Sequence, residues 1–402
     1  MNEAVLREVV APNQSKIVLL VLDGLGGLPH PETRRTELET ADIPHLDRLA
    51  AESACGLTVP VAPGVTPGSG PGHLALFGYD PVRWNIGRGV LEAVGIEFPL
   101  EPSDVAARGN FCTIDEAGLI TDRRAGRIPT ERCAELCGLL REIELPGAVA
   151  LIEPVREHRF VLVLRGEGLS DDLAPLGTDP QHEGLKPLPV AARSAEAEPT
   201  ARLFNEWIAK ANALLKDQHP ANAVLVRGFA RYPELPSMQS RFGLNPAAIA
   251  VYPMYRGLAK LAGMRVLQTG STFEDEIATL QERWDEFDFF FVHYKQTDAA
   301  GEDGDFMRKV HALQEFDAQL PRVLDLQPDV LMVAGDHSTP AIMAAHSWHP
   351  VPFLLHAKLT RADETDAFNE PACQKGGLGT FPAREALQLA LAHAGRFAKF
   401  GA

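Results

Sequence analysis

The sequence contains few cysteines and no CxxC pair. Five cysteines occur in 402 residues, at positions 55, 112, 133, 137 and 373. Cys133 and Cys137 are spaced as neighbours on one helix face, which favours a place in a hydrophobic core. Because nothing indicates a disulfide framework, we expect a reduced, cytoplasmic protein.

Positive charge is also scarce. Lysine and arginine total 38 against 54 aspartates and glutamates, and the formal net charge is −16. Proteins that bind nucleic acid need clustered lysines and arginines for the phosphate backbone, so this balance argues against that class. A small anionic substrate remains compatible with it, because a local cluster of arginines can exist within an acidic protein.

Long apolar runs are absent as well. A run such as IVLLVL at residues 17–22 is far shorter than the roughly 20 residues that a membrane span needs. The N-terminal segment MNEAVLREVVAPNQS contains acidic residues and lacks the basic-then-apolar order of a signal peptide. We therefore predict no membrane association, and the sequence carries no indication of the oligomeric state.

Short apolar runs that end in polar residues predict an α/β core. The pattern occurs in KIVLLVLDG (16–24), DFFFVHYKQTD (288–298) and DVLMVAGDH (329–337). Strands of this kind suit a mostly parallel sheet that is covered by helices on both faces. The accompanying helices are predicted at 44–54, 275–287 and 304–324, with a further strand–helix step at 247–264.

The middle of the chain has a different pattern. It contains alternating segments such as ARGNFCTID and RFVLVLRGEG, turn clusters and a stretch rich in proline and alanine at 185–200. We interpret residues 90–238 as a smaller α+β domain that is inserted into the α/β core. The core domain would then consist of residues 1–89 and 239–402.

One unusual segment, TPGSGPGHLALFGYDP from Thr66 to Pro81, surrounds a single serine with glycines and prolines. Both residue types interrupt regular elements, so we predict a loop here rather than a strand or a helix. Such a loop is either a simple turn or a backbone shaped to present the hydroxyl of Ser69.

Potential metal ligands follow the predicted strands. The set consists of acidic, histidine and serine side chains: Asp23, Ser69, Asp298, Glu302, Asp336, His337 and His346. Ligands of parallel sheets bind beyond the carboxyl ends of the strands, where several of these residues fall. Oxygen and imidazole ligands suit Mg²⁺, Mn²⁺, Co²⁺ or Zn²⁺, and two such ions about 4 Å apart can stabilise a phosphoryl displacement. Coordination would also turn a serine hydroxyl into a nucleophile.

Each of these segments also has a purely structural interpretation. The Asp23–Gly24 pair is a common turn, and GDHST at 335–339 can be a loop with a helix cap. DAAGEDGD can start a helix, and PGSGPG can be a flexible loop. Together, however, the segments supply ligands for two metals and one hydroxyl, a combination that a purely structural chain does not need.

A series of motifs carries a resemblance to a known family. In chain order they are VLDGLGG, TPGSGPGHLALFGYDP, GRGVLEAVG, ARGNFCTID, TDRRAGRI, VLRGEGLSD, VYPMYRGLAKLAGM, HYKQTDAAGEDGDF, AGDHSTP and HSWHPVPFLL. As a set they resemble the archaeal-type 2,3-bisphosphoglycerate-independent phosphoglycerate mutases of the alkaline phosphatase superfamily. The resemblance extends from about residue 16 to about residue 395. It implies an alkaline-phosphatase-like fold and the interconversion of 3-phosphoglycerate and 2-phosphoglycerate.

The resemblance also implies that Ser69 becomes phosphorylated at a site with two divalent metal ions and without 2,3-bisphosphoglycerate. One metal would be held by Asp23, Ser69, Asp336 and His337, and the other by Asp298, Glu302 and His346. Two positions differ from many relatives, which have aspartate instead of Gly70 and histidine instead of Glu302. A glutamate ligand favours Mn²⁺ or Mg²⁺ over Zn²⁺.

The substrate of this family carries a phosphate and a carboxylate, so the resemblance implies a set of basic side chains. Guanidinium groups match both anions in bidentate geometry. The candidates are Arg123, Arg127, His158, Arg159, Arg165 and Arg256. Asp122 would move the proton of the glycerate hydroxyl, and Lys295 is a further catalytic candidate. The alternative for the arginines is a solvated face, which we expect for Arg124.

Two other functions stay open on the sequence. A metal-dependent phosphatase, or another phosphotransferase of the same superfamily, could use the same nucleophile because fold and metals do not fix the acceptor. A non-catalytic binding protein could retain the fold. Such a protein would be expected to lose metal ligands, yet every position of the set still holds a residue that can bind a metal.

Overall fold

The structure, a computed structural model, describes residues 3–84 and 86–401. The chain divides into two compact units. The first, which we term the core unit, comprises Met1–Asn85 and Leu235–Ala402, and the second, the insert unit, comprises Ile86–Glu234.

The strands and helices are numbered in chain order. The strands are β1 (Ile17–Leu22), β2 (Ala54–Val59), β3 (Val105–Ile114), β4 (Ile120–Asp122), β5 (Val149–Arg156), β6 (Arg159–Arg165), β7 (Ala223–Ala230), β8 (Pro246–Ile249), β9 (Arg265–Val266), β10 (Phe289–Tyr294), β11 (Val330–Ala334), β12 (Val351–Ala357) and β13 (Gly379–Pro382). The helices are α1 (Glu3–Val9), α2 (Glu37–Thr40), α3 (Pro44–Ala51), α4 (Ser69–Leu76), α5 (Arg88–Gly95), α6 (Thr130–Leu140), α7 (Glu198–Leu215), α8 (Met238–Phe242), α9 (Pro253–Leu261), α10 (Phe273–Glu282), α11 (Gln296–Glu302), α12 (Phe306–Leu324), α13 (Glu370–Cys373) and α14 (Ala386–His393).

The core unit is built on a mixed, mostly parallel sheet. In the described residues this sheet has eight strands in the order β13-β2-β12-β11-β1-β10-β8-β9. Strand β1 is parallel to both of its neighbours, β10 and β11, whereas β12 is antiparallel to β11 and β2. The predicted α/β class with a mostly parallel sheet is therefore confirmed.

The apolar run of β1 is buried because both faces of the sheet are covered. Val18, Leu20 and Leu22 on one face share a core cluster with residues of α3, α10 and α12. The alternate residues of β1 point to the opposite face and are buried as well. Fully burying one such side chain contributes about 2 kcal/mol before the cost of chain entropy. The run therefore carries no polar residue before its carboxyl end.

The register of the central strands brings three polar segments to one edge of the sheet. Val21 pairs with His293 of β10 on one side and with Ala334 of β11 on the other. Asp23 and Asp336, each two residues beyond a member of this row, therefore emerge together at the carboxyl edge of the sheet. This is the edge at which ligands of parallel sheets bind.

The glycine- and proline-rich segment around Ser69 is a helix, not the predicted loop. Helix α4 begins at Ser69, and Pro71 lies in its first turn, where a backbone N–H has no partner within the helix. Gly72 lies against the backbone of Asp336, and a Cβ at this position would lie 2.1 Å from the carbonyl oxygen of Asp336. The glycine is thus needed for close helix packing rather than for a flexible loop.

The insert unit has the predicted α+β composition. Its sheet runs in the order β4-β3-β6-β5, and β7 pairs with β3, all in antiparallel pairs. Helices α6 and α7 contribute Cys133, Cys137 and Trp207 to its hydrophobic core, which confirms the prediction that the two cysteines are core thiols. Across residues 3–84 and 86–401, no helix combines the length and the apolar character that a membrane crossing requires.

Candidate active site

Asp23 follows strand β1 and is fully buried. Its Oδ2 accepts a hydrogen bond from the hydroxyl of Tyr255 and one of 3.0 Å from Lys295 Nζ, and lies 3.1 Å from His293 Nε2. Its Oδ1 has no hydrogen-bond partner in the described part of the chain and lies 3.4 Å from His337 Nε2. Burial would raise the pKa of Asp23, but Lys295 and the histidines hold it well below its usual range. The carboxylate is therefore ionised.

Asp336 and His337 follow strand β11 and are equally buried. Asp336 Oδ1 accepts a hydrogen bond of 3.1 Å from the backbone N–H of Gly24. Its Oδ2 lies 3.1 Å from His73 Nδ1 and 3.2 Å from His337 Nε2. The loops after β1 and β11 are thus joined directly, and their carboxylates lie close together.

The hydrogen bonds of His337 determine which ring nitrogen can act as a ligand. The hydroxyl of Thr339 donates to Asp298 Oδ1 at 2.6 Å, so its oxygen can accept from His337 Nδ1, which lies 3.0 Å away. His337 Nε2 then keeps its lone pair, and burial lowers the pKa of His337, which favours this neutral ring. A lone pair that faces two carboxylates is the arrangement expected around a cation.

Ser69 begins helix α4, and its side chain is 3% exposed. The Oγ of Ser69 lies 3.3 Å from His337 Nε2. One turn later in the helix, His73 Nδ1 donates to the carbonyl oxygen of Ser69 at 2.8 Å and also faces Asp336. Burial would lower the pKa of His73, but Asp336 outweighs it and raises this pKa. His73 therefore connects the first turn of α4 to the carboxylate of Asp336.

Asp298 lies on helix α11 beside the same cluster. Its Oδ2 accepts a hydrogen bond of 2.5 Å from Lys295 Nζ, and its Oδ1 lies 3.6 Å from His346 Nε2. The ring of His346 stacks on that of His337 with 3.6 Å between the ring centroids. Lys295, which sequence analysis proposed as a catalytic residue, therefore contacts the carboxylates of both Asp23 and Asp298.

His346 and Glu302 form the outer part of this cluster. His346 Nδ1 donates to the carbonyl oxygen of Pro67 at 3.0 Å, which leaves Nε2 to face Asp298 and Glu302 Oε1, both at 3.6 Å. Burial would lower the pKa of His346, but Glu302 and Asp298 raise it to about 9. The same contact with His346 lowers the pKa of Glu302, whose side chain is 50% exposed. Glu302 thus lies at the solvent-exposed edge of this ligand cluster.

Two groups of ligand atoms meet the requirements of a metal site. They are Asp23, Asp336 and His337 on the one hand, and Asp298, His337 and His346 on the other. The atoms of each group lie within 4.8 Å of one another. Two buried carboxylate oxygens, Asp23 Oδ1 and Asp336 Oδ2, have no hydrogen-bond partner in the described residues, and such oxygens are costly unless a cation satisfies them. The donor set therefore fits divalent ions. Because the lone pair of His337 is on Nε2, which faces Asp23 and Asp336, we assign His337 to the first group.

Sequence analysis did not identify His293 and Tyr255, which both contact Asp23. The two rings stack with 3.7 Å between their centroids. A signal for His293 existed, because it is a polar residue within the otherwise apolar run FFFVHY of β10. Tyr255 lies on α9, and no local pattern marks it as a partner of Asp23.

In the insert unit, Asp122 is the last residue of strand β4, and Arg123 follows it. Asp122 accepts hydrogen bonds from the backbone N–H of Arg124 at 2.7 Å and of Gly126 at 2.6 Å. Arg123 forms a bidentate pair with Asp179, with hydrogen bonds of 3.0 and 2.7 Å. Burial would raise the pKa of Asp179, but Arg123 lowers it. Asp122 thus closes a tight turn, and Arg124, as predicted, is exposed.

A group of basic side chains, which we term the basic cluster, lies on the sheet of the insert unit and at the start of helix α5. It consists of Arg88, Arg108, His158, Arg159 and Arg227. Arg108 on β3 lies directly opposite Arg227 on β7. Arg108 Nε, Arg227 Nε and His158 Nδ1 are buried and have no hydrogen-bond partner in the described residues. Like charges that face each other across a sheet are destabilising, so this arrangement indicates a site for an anion.

Titration behaviour reflects the same crowding of positive charge. Burial, followed by the charge of Arg88, lowers the pKa of Arg227 to about 10 and lowers that of Arg108 well below its usual range. Burial and the surrounding arginines lower the pKa of His158 to about 3, so its ring is neutral. Carboxylates also lie near these side chains: Glu92 is 3.8 Å from Arg108, Asp179 is 3.6 Å from Arg227, and Glu157 is 3.8 Å from Arg159.

Sequence analysis predicted only part of this cluster. It proposed His158 and Arg159 but not Arg88, Arg108 and Arg227. A signal existed for Arg108 and Arg227, because each is an arginine followed by glycine within an otherwise apolar strand. An arginine within an apolar strand indicates a buried charge. That Arg108 lies opposite Arg227, however, depends on the register of β3 and β7, which the sequence pattern does not give.

Three other predicted arginines are not members of the basic cluster. Arg127 is exposed, and its charge is among those that lower the pKa of His158. Arg165 is at the opposite end of β6 from Arg159, and its guanidinium group is occupied by Asp104 and Glu101. Six residues of strand correspond to about 20 Å, so Arg165 lies far from Arg159 along the same strand. Arg256 belongs to the core unit and lines a cavity of about 420 Å³.

Comparison with known proteins gives consistent matches along the whole chain. The family model described as 2,3-bisphosphoglycerate-independent phosphoglycerate mutase matches residues 50–222. A protein of Thermus thermophilus is 51% identical over 408 residues, which cover 99% of each chain. One of Aquifex aeolicus is 48% identical over 406 residues, covering 99% of this chain and 100% of the relative. Both are named "Probable 2,3-bisphosphoglycerate-independent phosphoglycerate mutase".

Two solved structures resemble the fold. A protein from Pyrococcus horikoshii superimposes with a TM-score of 0.83 at 28% identity, covering 97% of this chain and 100% of that one. The cofactor-independent phosphoglycerate mutase from Thermoplasma acidophilum gives a TM-score of 0.68 at 28% identity, with coverage of 94% and 100%.

Proposed function

Because the chain belongs to the family of 2,3-bisphosphoglycerate-independent phosphoglycerate mutases, we propose that it interconverts 3-phosphoglycerate and 2-phosphoglycerate through a phosphoserine at Ser69. The observation that supports this most strongly is the position of the Ser69 hydroxyl. It is buried at the start of α4 and lies 3.3 Å from His337 Nε2, within a cluster of ionised carboxylates.

We assign the metal ligands as the family resemblance implies. One ion would be held by Asp23, Ser69, Asp336 and His337, and the other by Asp298, Glu302 and His346. When bound, these ions would lower the pKa of the Ser69 hydroxyl and stabilise the charge of the transferred phosphoryl group. The excess of carboxylate oxygens among the donors favours Mn²⁺ or Mg²⁺, with Co²⁺ and Zn²⁺ as weaker alternatives.

The proposed reaction consists of two phosphoryl transfers on the same serine. In the first, Ser69 Oγ gives up its proton and forms a bond to phosphorus, while the bond from phosphorus to O3 of glycerate breaks and O3 takes up a proton. In the second, O2 of glycerate loses its proton and attacks the phosphorus, the bond from phosphorus to Ser69 Oγ breaks, and Oγ takes up a proton. Asp122 is the candidate that delivers and removes the glycerate protons.

Residues around Ser69 prepare it for this role. Helix α4 starts at the nucleophile, and the free backbone N–H groups of a first helical turn favour an anionic phosphoryl group. Lys295 contacts Asp23 and Asp298 and helps to keep the carboxylate of Asp23 ionised. Ionised carboxylates are the form that binds a cation.

The basic cluster is the proposed site for the carboxylate of the substrate. The phosphoryl group leaves glycerate for Ser69, so the carboxylate is the anion that glycerate retains throughout the reaction. Arg108 Nε and Arg227 Nε have no hydrogen-bond partner in the described residues, and a carboxylate would supply the acceptors. Arg123, held by Asp179, and the candidates Arg127 and Arg256 are secondary in this proposal.

An enolase-coupled assay with 3-phosphoglycerate tests the function. The wild-type chain should form 2-phosphoglycerate in the presence of Mn²⁺, and Ser69→Ala should form none. Ser240→Ala, which alters an exposed serine on α8, serves as the matched control and should retain full turnover. Release of free phosphate without 2-phosphoglycerate would instead support the phosphatase alternative, and turnover by Ser69→Ala would exclude Ser69 as the nucleophile.

A further inference from the structure

Lys309 on helix α12 is a completely buried lysine that takes no part in the proposed reaction. Its ammonium group donates to the backbone carbonyl oxygens of Gly24 at 2.9 Å, of Gly26 at 3.0 Å and of Thr339 at 2.9 Å. An ammonium group has three N–H donors, and here each has one acceptor. The geometry therefore requires the charged form.

These carbonyl oxygens belong to the two loops that carry proposed metal ligands. The β1 loop (residues 23–27) contains Asp23, and the β11 loop (residues 335–341) contains Asp336 and His337. The loops also contact each other directly, because the N–H of Thr339 lies 3.3 Å from the carbonyl oxygen of Gly24 and 3.0 Å from that of Gly26. Lys309 is thus the side chain that connects both loops to helix α12.

Two glutamates lie beside this contact, Glu37 fully buried and Glu370 partly buried. Glu37 Oε1 lies 3.9 Å from Lys309 Nζ and accepts a hydrogen bond of 2.8 Å from the N–H of Ala341 in the β11 loop. Glu370 accepts hydrogen bonds of 2.7 Å from the N–H of Gly27 in the β1 loop and from the hydroxyl of Thr36. Each loop is therefore held by one glutamate, and the charge of Lys309 has a counter-charge nearby.

We propose that Lys309 is a positioning residue for the metal site. It holds the β1 loop and the β11 loop at the separation at which Asp23, Asp336 and His337 share one cation. Glu37 offsets the charge of Lys309, so the ammonium group does not repel that cation. This inference rests on the proposed metal site but not on the identity of the substrate.

Positioning and charge predict opposite results when Lys309 is replaced. Lys309→Met removes the three hydrogen bonds, which weakens cation binding if positioning dominates. The same substitution removes a positive charge near the site, which strengthens cation binding if charge dominates. The double variant Lys309→Met/Glu37→Gln removes both charges at once and so isolates the positioning effect.

Titration calorimetry of the full-length, metal-free chain with Mn²⁺ distinguishes these cases. We expect Lys309→Met to bind Mn²⁺ about tenfold more weakly, in the range found for residues that support metal ligands. The double variant should be equally weak, and Glu37→Gln alone should be weakened to a smaller extent. Wild-type affinity in Lys309→Met, or recovery of wild-type affinity in the double variant, would overturn the positioning role.

Leu313→Ala provides the control for a general loss of stability. Leu313 is a buried core residue of the same helix, so its replacement should lower the melting temperature and leave the Mn²⁺ affinity unchanged. An equal loss of affinity in this variant would reduce Lys309 to a structural residue. If Lys309→Met does not fold, Glu37→Gln decides, because it keeps the hydrogen bonds of Lys309, and an unchanged affinity would refute the charge compensation.

The failure of this inference is separable from that of the proposed function. A wild-type chain that binds Mn²⁺ but forms no 2-phosphoglycerate would refute the mutase and leave the role of Lys309 intact. A wild-type chain that binds no Mn²⁺ would refute both.

Discussion

Replacing Arg227 by methionine should make the protein more stable and its substrate binding weaker. Arg227 lies directly opposite Arg108 in the sheet of the insert unit, with Asp179 at 3.6 Å. Methionine keeps a long, flexible side chain in the same place and removes the charge. In the absence of an anion, the repulsion between Arg227 and the surrounding arginines would then be removed.

The size of the expected gain in stability follows from the pKa of Arg227. Burial and the charge of Arg88 lower this pKa from 12.5 to about 10. A difference of this size corresponds to about 3 kcal/mol, and about 1 to 3 kcal/mol is expected because 24% of the side chain is exposed. Below pH 10 the side chain is charged in the folded and the unfolded chain, so this cost does not change with pH there. It is relieved as the pH rises above 10, where the folded chain loses the proton first.

The loss of substrate binding should be similar in size to the gain in stability. A hydrogen bond from a charged donor contributes about 1.5 to 3 kcal/mol, so the KM for 3-phosphoglycerate should rise about 10- to 100-fold. Urea unfolding in buffer without multivalent anions measures the stability, and the enolase-coupled assay measures KM.

Arg165→Met is the matched control for Arg227→Met. Arg165 is paired with Asp104 and Glu101, so its replacement should lower stability and leave KM unchanged. The reasoning would be refuted if Arg227→Met lowered stability without a change in KM, or if Arg165→Met raised KM to the same extent.

Three further predictions concern the core unit. Burial raises the pKa of Glu276 to about 9, so the folded chain retains a proton that the unfolded chain loses above pH 4.5. Stability should therefore fall by about 1.4 kcal/mol per pH unit between these values from this residue, and melting curves of Glu276→Gln should lack that slope. Glu302→His should shift the preference from Mn²⁺ towards Zn²⁺ and Co²⁺, measured as relative turnover with each ion, and an unchanged preference would exclude Glu302 as a ligand. Removing metal with a chelator should lower the stability by about 2.7 kcal/mol relative to Mn²⁺ at 100 times its Kd, and an unchanged melting temperature would contradict the metal site.

Many ligands of the proposed metal site could be predicted from the sequence because short local segments indicate them. Strands β1, β10 and β11 are apolar runs with polar residues at one end, and parallel pairing brings those ends together. Asp23, Asp298 and Asp336 could therefore be expected to meet before any coordinates were known. The same reasoning could not identify Tyr255, because its hydroxyl reaches Asp23 from a helix whose packing is not encoded in a short pattern.

Two features could not be predicted for more specific reasons. The composition around Ser69 indicated a loop, yet Pro71 lies where a helix tolerates proline and Gly72 lies where a helix needs to approach Asp336 closely. The pairing of Arg108 with Arg227 depends on the register between strands that are more than one hundred residues apart. A register shift of one residue would move Arg227 to the other face of the sheet.

The most direct test of the central claim is detection of the phosphorylated enzyme. The metal-loaded chain is mixed with 3-phosphoglycerate, quenched in acid and digested, and the peptide that contains Ser69 is examined by mass spectrometry. The account predicts one added phosphoryl group on Ser69 and none in the Ser69→Ala variant. Turnover to 2-phosphoglycerate with this peptide unmodified throughout, or with the phosphoryl group on another residue, would contradict it.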